Sequence, residues 1–266
     1  MDVIYLWGSY AALGMFAGLM AGLLGVGGGL VIVPVLAGLF AAQGFSNAVI
    51  MPLALGTSLA TIVFTSISSL RAHHRRGAVR WPLMMQLSVG IAAGGWLGGF
   101  VARWLGGPLL ALLFGLFEFL VAAHMLFGKA PSAHRSAPGQ GRNLLAGLFI
   151  GVVSALLGIG GGSLTVPWLV WHRVDMREAV GTAAACGLPI ALVGALGFIL
   201  AGHGVAELPK GSSGFVYWPA AAATSMASVL MAPLGARLAH SIPQRRLRQV
   251  FAMMLAVLGV WMMSGG

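Results

Sequence analysis

The sequence predicts an all-α polytopic membrane protein built from two inverted repeats, each a glycine-broken re-entrant helix pair followed by three transmembrane helices. Three observations carry that expectation: scarce charge, apolar runs of bilayer length, and a glycine block that occurs twice in register. Hydrophobic residues make up 59% of the 266 and charged residues 8%, where a soluble domain carries about 25% charged residues. Too little polar surface remains to keep such a chain in water. The runs at 48–70, 82–102, 108–127 and 180–201 each approach the ~20 residues that cross ~30 Å of hydrocarbon as helix. None alternates as a membrane β-strand does.

The formal net charge of +10 does not indicate nucleic acid as a partner. The basic residues sit in short gaps between apolar runs, as at Arg71, Arg75 and Arg76 and at Arg245, Arg246 and Arg248. Charges so placed fix orientation in the membrane. Asp2 stands where a signal peptide would be basic, and no small-residue cleavage site follows, so the chain is not expected to open with a cleaved leader. Cys186 is the single cysteine and permits no intrachain disulfide.

The chain resembles itself. Gly25-Val-Gly-Gly-Gly-Leu-Val-Ile-Val-Pro34 matches Gly158-Ile-Gly-Gly-Gly-Ser-Leu-Thr-Val-Pro167 at an offset of 133. Leu55-Gly56-Thr57 matches Val180-Gly181-Thr182. Val79-Arg80-Trp81-Pro82 matches Val216-Tyr217-Trp218-Pro219, and Leu97-Gly98 matches Leu234-Gly235, both at an offset of 137. The order is kept, which gives a first transmembrane repeat at 1–128, a linker at 129–142 and a second repeat at 143–266. Such duplication recurs in secondary transporters.

Each half has one plan. A helical run enters the glycine block at 5–24 and at 144–157, and a short run leaves it at 30–40 and at 163–171. At ~1.5 Å per residue the short runs cover about half a bilayer. Glycines this dense favour a break over continued helix. Charge counting then sets the topology. If each broken element returns to its own side, every Lys and Arg except Arg103 and Lys210 lies inside, 13 against 2. If each crosses once, the split is 8 against 7. The positive-inside rule selects the first arrangement, with inverted halves, both termini outside and the basic loops cytoplasmic.

These residues carry a family resemblance. Two Gly-x-Gly-Gly-Gly-x-x-x-x-Pro blocks, the segments Ala54-Leu-Gly-Thr-Ser58 and Glu178-Ala-Val-Gly-Thr182, and the Trp-Pro pairs at Trp81 and Trp218 resemble the TauE/SafE sulfite exporter family over nearly the whole chain. The resemblance implies an inner-membrane permease that exports sulfite, an organosulfonate or a similar small anion. Its expected partners are that anion, the lipid bilayer and a second copy of the chain. It implies no enzymatic activity and no cofactor. The second copy departs from the first at Ala183, where the first has Ser58.

The candidate site follows from the breaks. A helix interrupted in mid-membrane exposes backbone N–H groups, and a helix N-terminus combines those donors with partial positive charge. Gly27, Gly28 and Gly29 and their counterparts Gly160, Gly161 and Gly162, with Ser163, can therefore form an anion site that needs no buried cation. The alternative is that the glycines serve only close packing. Thr57, Ser58, Thr61 and Thr182 are candidate substrate or ion contacts, with Ser163 and Thr165 just past the second break after them, although such hydroxyls often bond their own helix. Trp168, which follows Pro167 on the short run, stands apart from the interfacial tryptophans. Glu118, inside an apolar run, is the candidate proton-coupling residue, and its repeat equivalent is Leu255. The histidines lack the spacing of a metal site. Gly-x-Gly-Gly-Gly lacks the Lys-Ser/Thr of a phosphate loop, which points to secondary-active transport. An anion channel of the same architecture is the other reading.

The topology is testable by thiol labelling from outside. Arg75→Cys and Arg246→Cys should be protected from an impermeant reagent and Gly211→Cys should react. Labelling at 246 but not at 211 would contradict the inverted arrangement.

Overall fold

A computed structural model describes residues 3–24, 28–128, 139–238 and 244–264. The element order is α1 Val3–Leu24, α2 Gly29–Ala42, α3 Asn47–Arg75, α4 Trp81–Phe127, α5 Gln140–Leu156, α6 Gly162–Trp171, α7 Met176–Ala201, β1 Ser212–Ser213, β2 Val216–Tyr217, α8 Trp218–Leu238 and α9 Gln244–Met263. Five of these helices, α1, α3, α4, α7 and α9, are long and apolar enough to cross a membrane. The protein is an all-α polytopic membrane protein apart from one short hairpin.

Local sequence explains where the helices stop. The 47-residue α4 is two arms, because Gly106 adopts φ 75° and ψ 165°. Glycine reaches that region at no Cβ cost, and Pro108 then starts the second arm with a fixed φ and no donor. The arms coincide with the two runs at 82–102 and 108–127. At the second glycine block, α5 ends in a left-handed turn: Gly158 has φ 57°, its N–H donates to Ala155 O and the Ile159 N–H donates to Ser154 O. That double bond satisfies carbonyls which the helix end would leave unpaired. The expected break between the entering and leaving helices is present here, and α6 starts afresh at Gly162. Of the first block, Gly25, Val26 and Gly27 lie outside the described residues.

Two details differ from the sequence reading. α5 begins at Gln140, inside the segment assigned to the linker, because Gly139 already supplies the extended residue that precedes a helix. Residues 129–138 of that linker lie outside the described set. The β1–β2 hairpin pairs Ser212 with Tyr217 and Ser213 with Val216. Positive-φ Gly211 and Gly214 close it.

The packing recurs between the halves. α1 lies on α8, α5 on the first arm of α4, α3 on α7, and the second arm of α4 on α9. Backbones meet at glycine. A Cβ on Gly14 or Gly18 would strike the carbonyl oxygen of Thr224 or Ser228. At the offsets of 133 and 137 these become Gly147 on Leu87 and Gly151 on Ile91, and a Cβ there would strike those carbonyl oxygens too. Gly235 meets Leu19, and its equivalent Gly98 meets Val152 and Ala155. Lipid tails give helices no hydrophobic reason to associate, so close backbone approach at small residues holds them together.

The same contacts divide inside from outside. The apolar stretch of α3 is 78% buried, against 28% for α4 and for α9. The core is therefore α2, α3 and α7, with Leu36, Phe40, Leu53, Leu55, Leu59 and Phe198 fully buried. α4 and α9 turn Trp104, Leu120, Met253 and Val257 outward.

Because Gly14 and Gly147 stand at equivalent contacts, their enlargement should cost alike. Gly14→Leu and Gly147→Leu should each lower the thermal midpoint in detergent, in keeping with an over-packing cost of ~1–3 kcal/mol or more. Gly8→Leu, where a Cβ meets nothing within 4 Å, should leave the midpoint unchanged. A parent-like midpoint for Gly147→Leu would refute the α5–α4 contact.

Candidate functional site

The two glycine blocks meet. A Cβ on Gly29, the first residue of α2, would stand 2.9 Å from Ile159 Cα. The second block also touches α2 through Val33 and α3 through Leu55. Ser58 Oγ donates to Gly158 O at 2.7 Å, which fixes the break to α3. Ile62 closes on Gly160 and Ile190 of α7 on Gly161. Residues of α2, α3, α5, α6 and α7 thus converge on one point, and sequence alone did not give that convergence.

The helix starts there are uncapped by side chains. Gly28 is the N-cap of α2 and Gly161 that of α6, and neither has a side-chain cap. The first intrahelical bonds run from Val31 and Ile32 N–H to Gly28 O, and from Thr165 N–H to Gly161 O. The N–H groups of Gly29, Leu30, Gly162, Ser163 and Leu164 precede those bonds and have no acceptor within their helices. Gly160 and Gly161 are buried, and Gly162 and Ser163 are half-buried. Gly27 lies outside the described residues. What the arrangement offers chemically is a set of backbone donors and two positive helix ends, which suits an anion.

The threonines at the repeat-equivalent sites have a visible structural task. Thr57 Oγ1 accepts from the Tyr217 N–H at 3.0 Å. Thr182 Oγ1 accepts from the Arg80 N–H, also at 3.0 Å. Tyr217 and Arg80 precede the two Trp-Pro helix starts, and the hydroxyls occupy the donors of those residues. Alongside, Gly56 and Gly181 pack on the carbonyls of Phe215 and Ala78. Thr61 bonds the Thr57 carbonyl of its own helix at 3.0 Å.

Glu118 is fully buried. Neither of its carboxyl oxygens has a hydrogen-bond partner among the described residues. It packs beside Gly259 of α9, so it does not face a second copy of the chain. The structure does not bring it to the glycine breaks, whose described lining comes from other elements.

Two groups escaped the sequence reading. One is a polar chain: Asn143 Nδ2 donates to Gln86 Oε1 at 2.7 Å and Trp168 Nε1 donates to Asn143 Oδ1 at 3.3 Å. Trp168 also packs against His172, with 4.3 Å between ring centroids and the rings tilted by 48°. The other is an aromatic cluster of Tyr10, Phe40, Phe45 and Tyr217. Tyr217 stands at the repeat position of Arg80, whose Nε pairs instead with Glu178 Oε2 at 2.7 Å. One helix start is therefore packed in aromatic rings and the other held by a half-exposed ion pair. A polar residue inside an apolar run, Gln86, was the available signal for the first group.

Comparison with known proteins decides the lineage of this arrangement. A family model described as "Sulfite exporter TauE/SafE" matches residues 10–262. The chain belongs to this family. A probable membrane transporter protein of Haemophilus influenzae is 33% identical over 248 residues, covering 93% of this chain and 94% of its own length. One from Methanocaldococcus jannaschii is 25% identical over 260 residues, covering 94% and 92%. YdhB of Bacillus subtilis, also a probable membrane transporter protein, is 24% identical over 250 residues, covering 91% and 94%. No solved structure matches the chain. The TauE/SafE protein described here is a membrane transporter, and its family is one of permeases rather than enzymes. Its partners therefore include the lipid bilayer and a small substrate.

Proposed function

We propose that this TauE/SafE protein is a secondary-active exporter of sulfite, an organosulfonate or a similar small anion. The anion binds near the bilayer midplane between the N-termini of α2 and α6. The observation that carries this reading is the contact of Gly29 with Gly158 and Ile159. It sets the uncapped start of α2 against the turn that leads into α6, with no lysine or arginine among the described residues that line the contact. Helix ends can hold an anion in hydrocarbon and release it again, whereas a buried cation would add a large desolvation cost of its own. Gly27, Gly28, Gly29, Gly160, Gly161, Gly162 and Ser163 supply the backbone of the site in this reading. Thr57, Ser58 and Thr182 brace it through the bonds described above, and their direct contact with the anion is part of the proposal.

We read the two halves as inverted repeats, 1–128 and 143–266, joined by the linker at 129–142. The support is the recurrence of Gly14–Thr224 as Gly147–Leu87, and of Thr57–Tyr217 as Thr182–Arg80. Inversion with re-entrant broken elements gathers the basic loops on one side. We take that side as cytoplasmic and the membrane as the inner one. Glu118, a buried carboxyl without a partner, is the group we assign to proton coupling.

Flux of radiolabelled sulfite into proteoliposomes tests the site. Gly28→Val and Gly161→Val should abolish saturable uptake, because each adds bulk where the backbone must reach the anion. A Cβ at Gly161 already lies 2.5 Å from Ile190 Cδ1, and one at Gly28 lies 3.2 Å from Ala17 O. Variants that insert, stay monodisperse in detergent and still transport like the parent would move the substrate elsewhere.

The same vesicles test coupling under an imposed pH gradient. Glu118→Gln should keep sulfite binding and lose the pH-driven component of flux. Flux unchanged at every pH would leave Glu118 a structural residue, and parent flux indifferent to the gradient would favour a channel.

A further inference from the structure

The two breaks are equivalent in sequence, yet they differ where a ligand would touch them. Thr165 lies in the first turn of α6 and is fully buried. Its Oγ1 has no hydrogen-bond partner among the described residues. That is unusual here. Several hydroxyls elsewhere in these helices bond the preceding turn, as Thr61 does to Thr57 O at 3.0 Å and Ser88 to Met84 O at 2.7 Å, the ordinary fate of such groups, and Ser58 bonds Gly158 O across helices. Thr165 leaves Gly161 O to its own backbone N–H at 2.8 Å.

The hydroxyl is aimed at the break. Thr165 Oγ1 lies 3.1 Å from where a Cβ on Gly161 would stand. Side chains on a helix tilt toward its N-terminus, so the hydroxyl adds a donor beside the free N–H groups of Gly162, Ser163 and Leu164. At the offset of 133, the equivalent of Thr165 is Ile32 and that of Gly161 is Gly28. There Ile32 Cδ1 lies 3.5 Å from the corresponding Cβ position on Gly28. The same cradle thus presents a hydroxyl in one half and a methyl in the other. Ser154, the other fully buried and unpartnered hydroxyl of the second broken element, stands opposite Ala21 in the first and repeats the contrast.

We infer that the anion is held unsymmetrically, at the second break, with the Thr165 hydroxyl donating to one of its oxygens, while the first break contributes backbone and the apolar wall of Ile32. This rests on the reading of the breaks as the anion site and names the residue that selects an oxyanion there. An alkyl or other apolar substituent on the anion faces Ile32. Thr165 is thereby a binding residue whose counterpart in the first half is apolar.

The test is saturable sulfite and methanesulfonate transport in proteoliposomes, with thermal unfolding in detergent as the check on folding. Thr165→Val keeps the shape and removes the donor. It should raise KM about tenfold, the loss expected for one hydrogen bond to an ionised group, with Vmax and the thermal midpoint retained. Thr165→Ser should return KM to within about threefold of the parent. Ser88→Ala, which removes a hydroxyl of α4 that bonds its own helix, should leave KM for sulfite unchanged. Thr165→Ala serves as the second donor-free variant if valine prevents insertion. A parent-like KM in the donor-free variant, together with loss of transport in Gly161→Val, would leave the anion at the break and overturn the role of Thr165. Parent-like transport in both Gly28→Val and Gly161→Val would overturn the site itself. An equal rise in KM for Ile32→Val and Thr165→Val would refute the asymmetry.

Discussion

Everything in this protein answers one constraint: a helix interrupted inside hydrocarbon exposes backbone groups that no water can satisfy. An unpaired buried amide or carbonyl costs ~1–3 kcal/mol, and each glycine block opens several at once. One bond that meets this cost crosses from one half of the chain to the other: Ser58 of α3 holds Gly158 O. The left-handed turn at Gly158 takes the last carbonyls of α5 locally. At the Trp-Pro helix starts, Thr57 and Thr182 occupy the N–H groups of Tyr217 and Arg80, again across the halves. The N–H groups at the starts of α2 and α6 have no acceptor within their helices, and that is a set an anion can use.

The same constraint explains the glycines outside the breaks. Helices in lipid associate through close packing and polar contacts. Here α1 rests on α8 and α5 on α4 through backbone against backbone. In that exchange the entering helix of each broken element is held by the opposite half. Neither half could place its own break without the other. The contact of Gly29 with Ile159 follows from this mutual support.

Much of the architecture was legible in the sequence. The offsets of 133 and 137 anticipated which contacts would recur, because a duplicated chain folds each copy by the same local rules. The double glycine of Gly106-Gly107 before Pro108 separated the two arms of α4 as the apolar runs had suggested. The role of Thr57 and Thr182 was legible only in part. Their equivalence signalled a shared task, but a helix start on the opposite half is a partner that spacing along one chain cannot identify. Thr165 was a candidate contact in the sequence, but its lack of a helix partner was not legible there. A hydroxyl inside a membrane helix ordinarily bonds the preceding turn, and only coordinates show that this one does not. The pairing of Gln86, Asn143 and Trp168 was not legible because its members lie on three different helices.

The departures from symmetry are where the copies acquired separate work. Duplication yields two equal cradles, and equality helps only what both halves must do alike, such as bracing a break. Transport does not require it. A substrate that sits at the junction touches each half once, and the two contacts can differ without disturbing the scaffold, provided the braces remain. The pattern of differences agrees. The bracing pairs Thr57 with Thr182 and Gly56 with Gly181 are unchanged in type. The positions beside the break and before the Trp-Pro helix starts are not: Ile32 stands against Thr165, and Tyr217 against Arg80. Glu118 against Leu255 belongs with them. A buried carboxyl without a partner among the described residues is expensive, and the second half has leucine at that position. The packing contacts recur between the halves, and the side chains at these three positions do not.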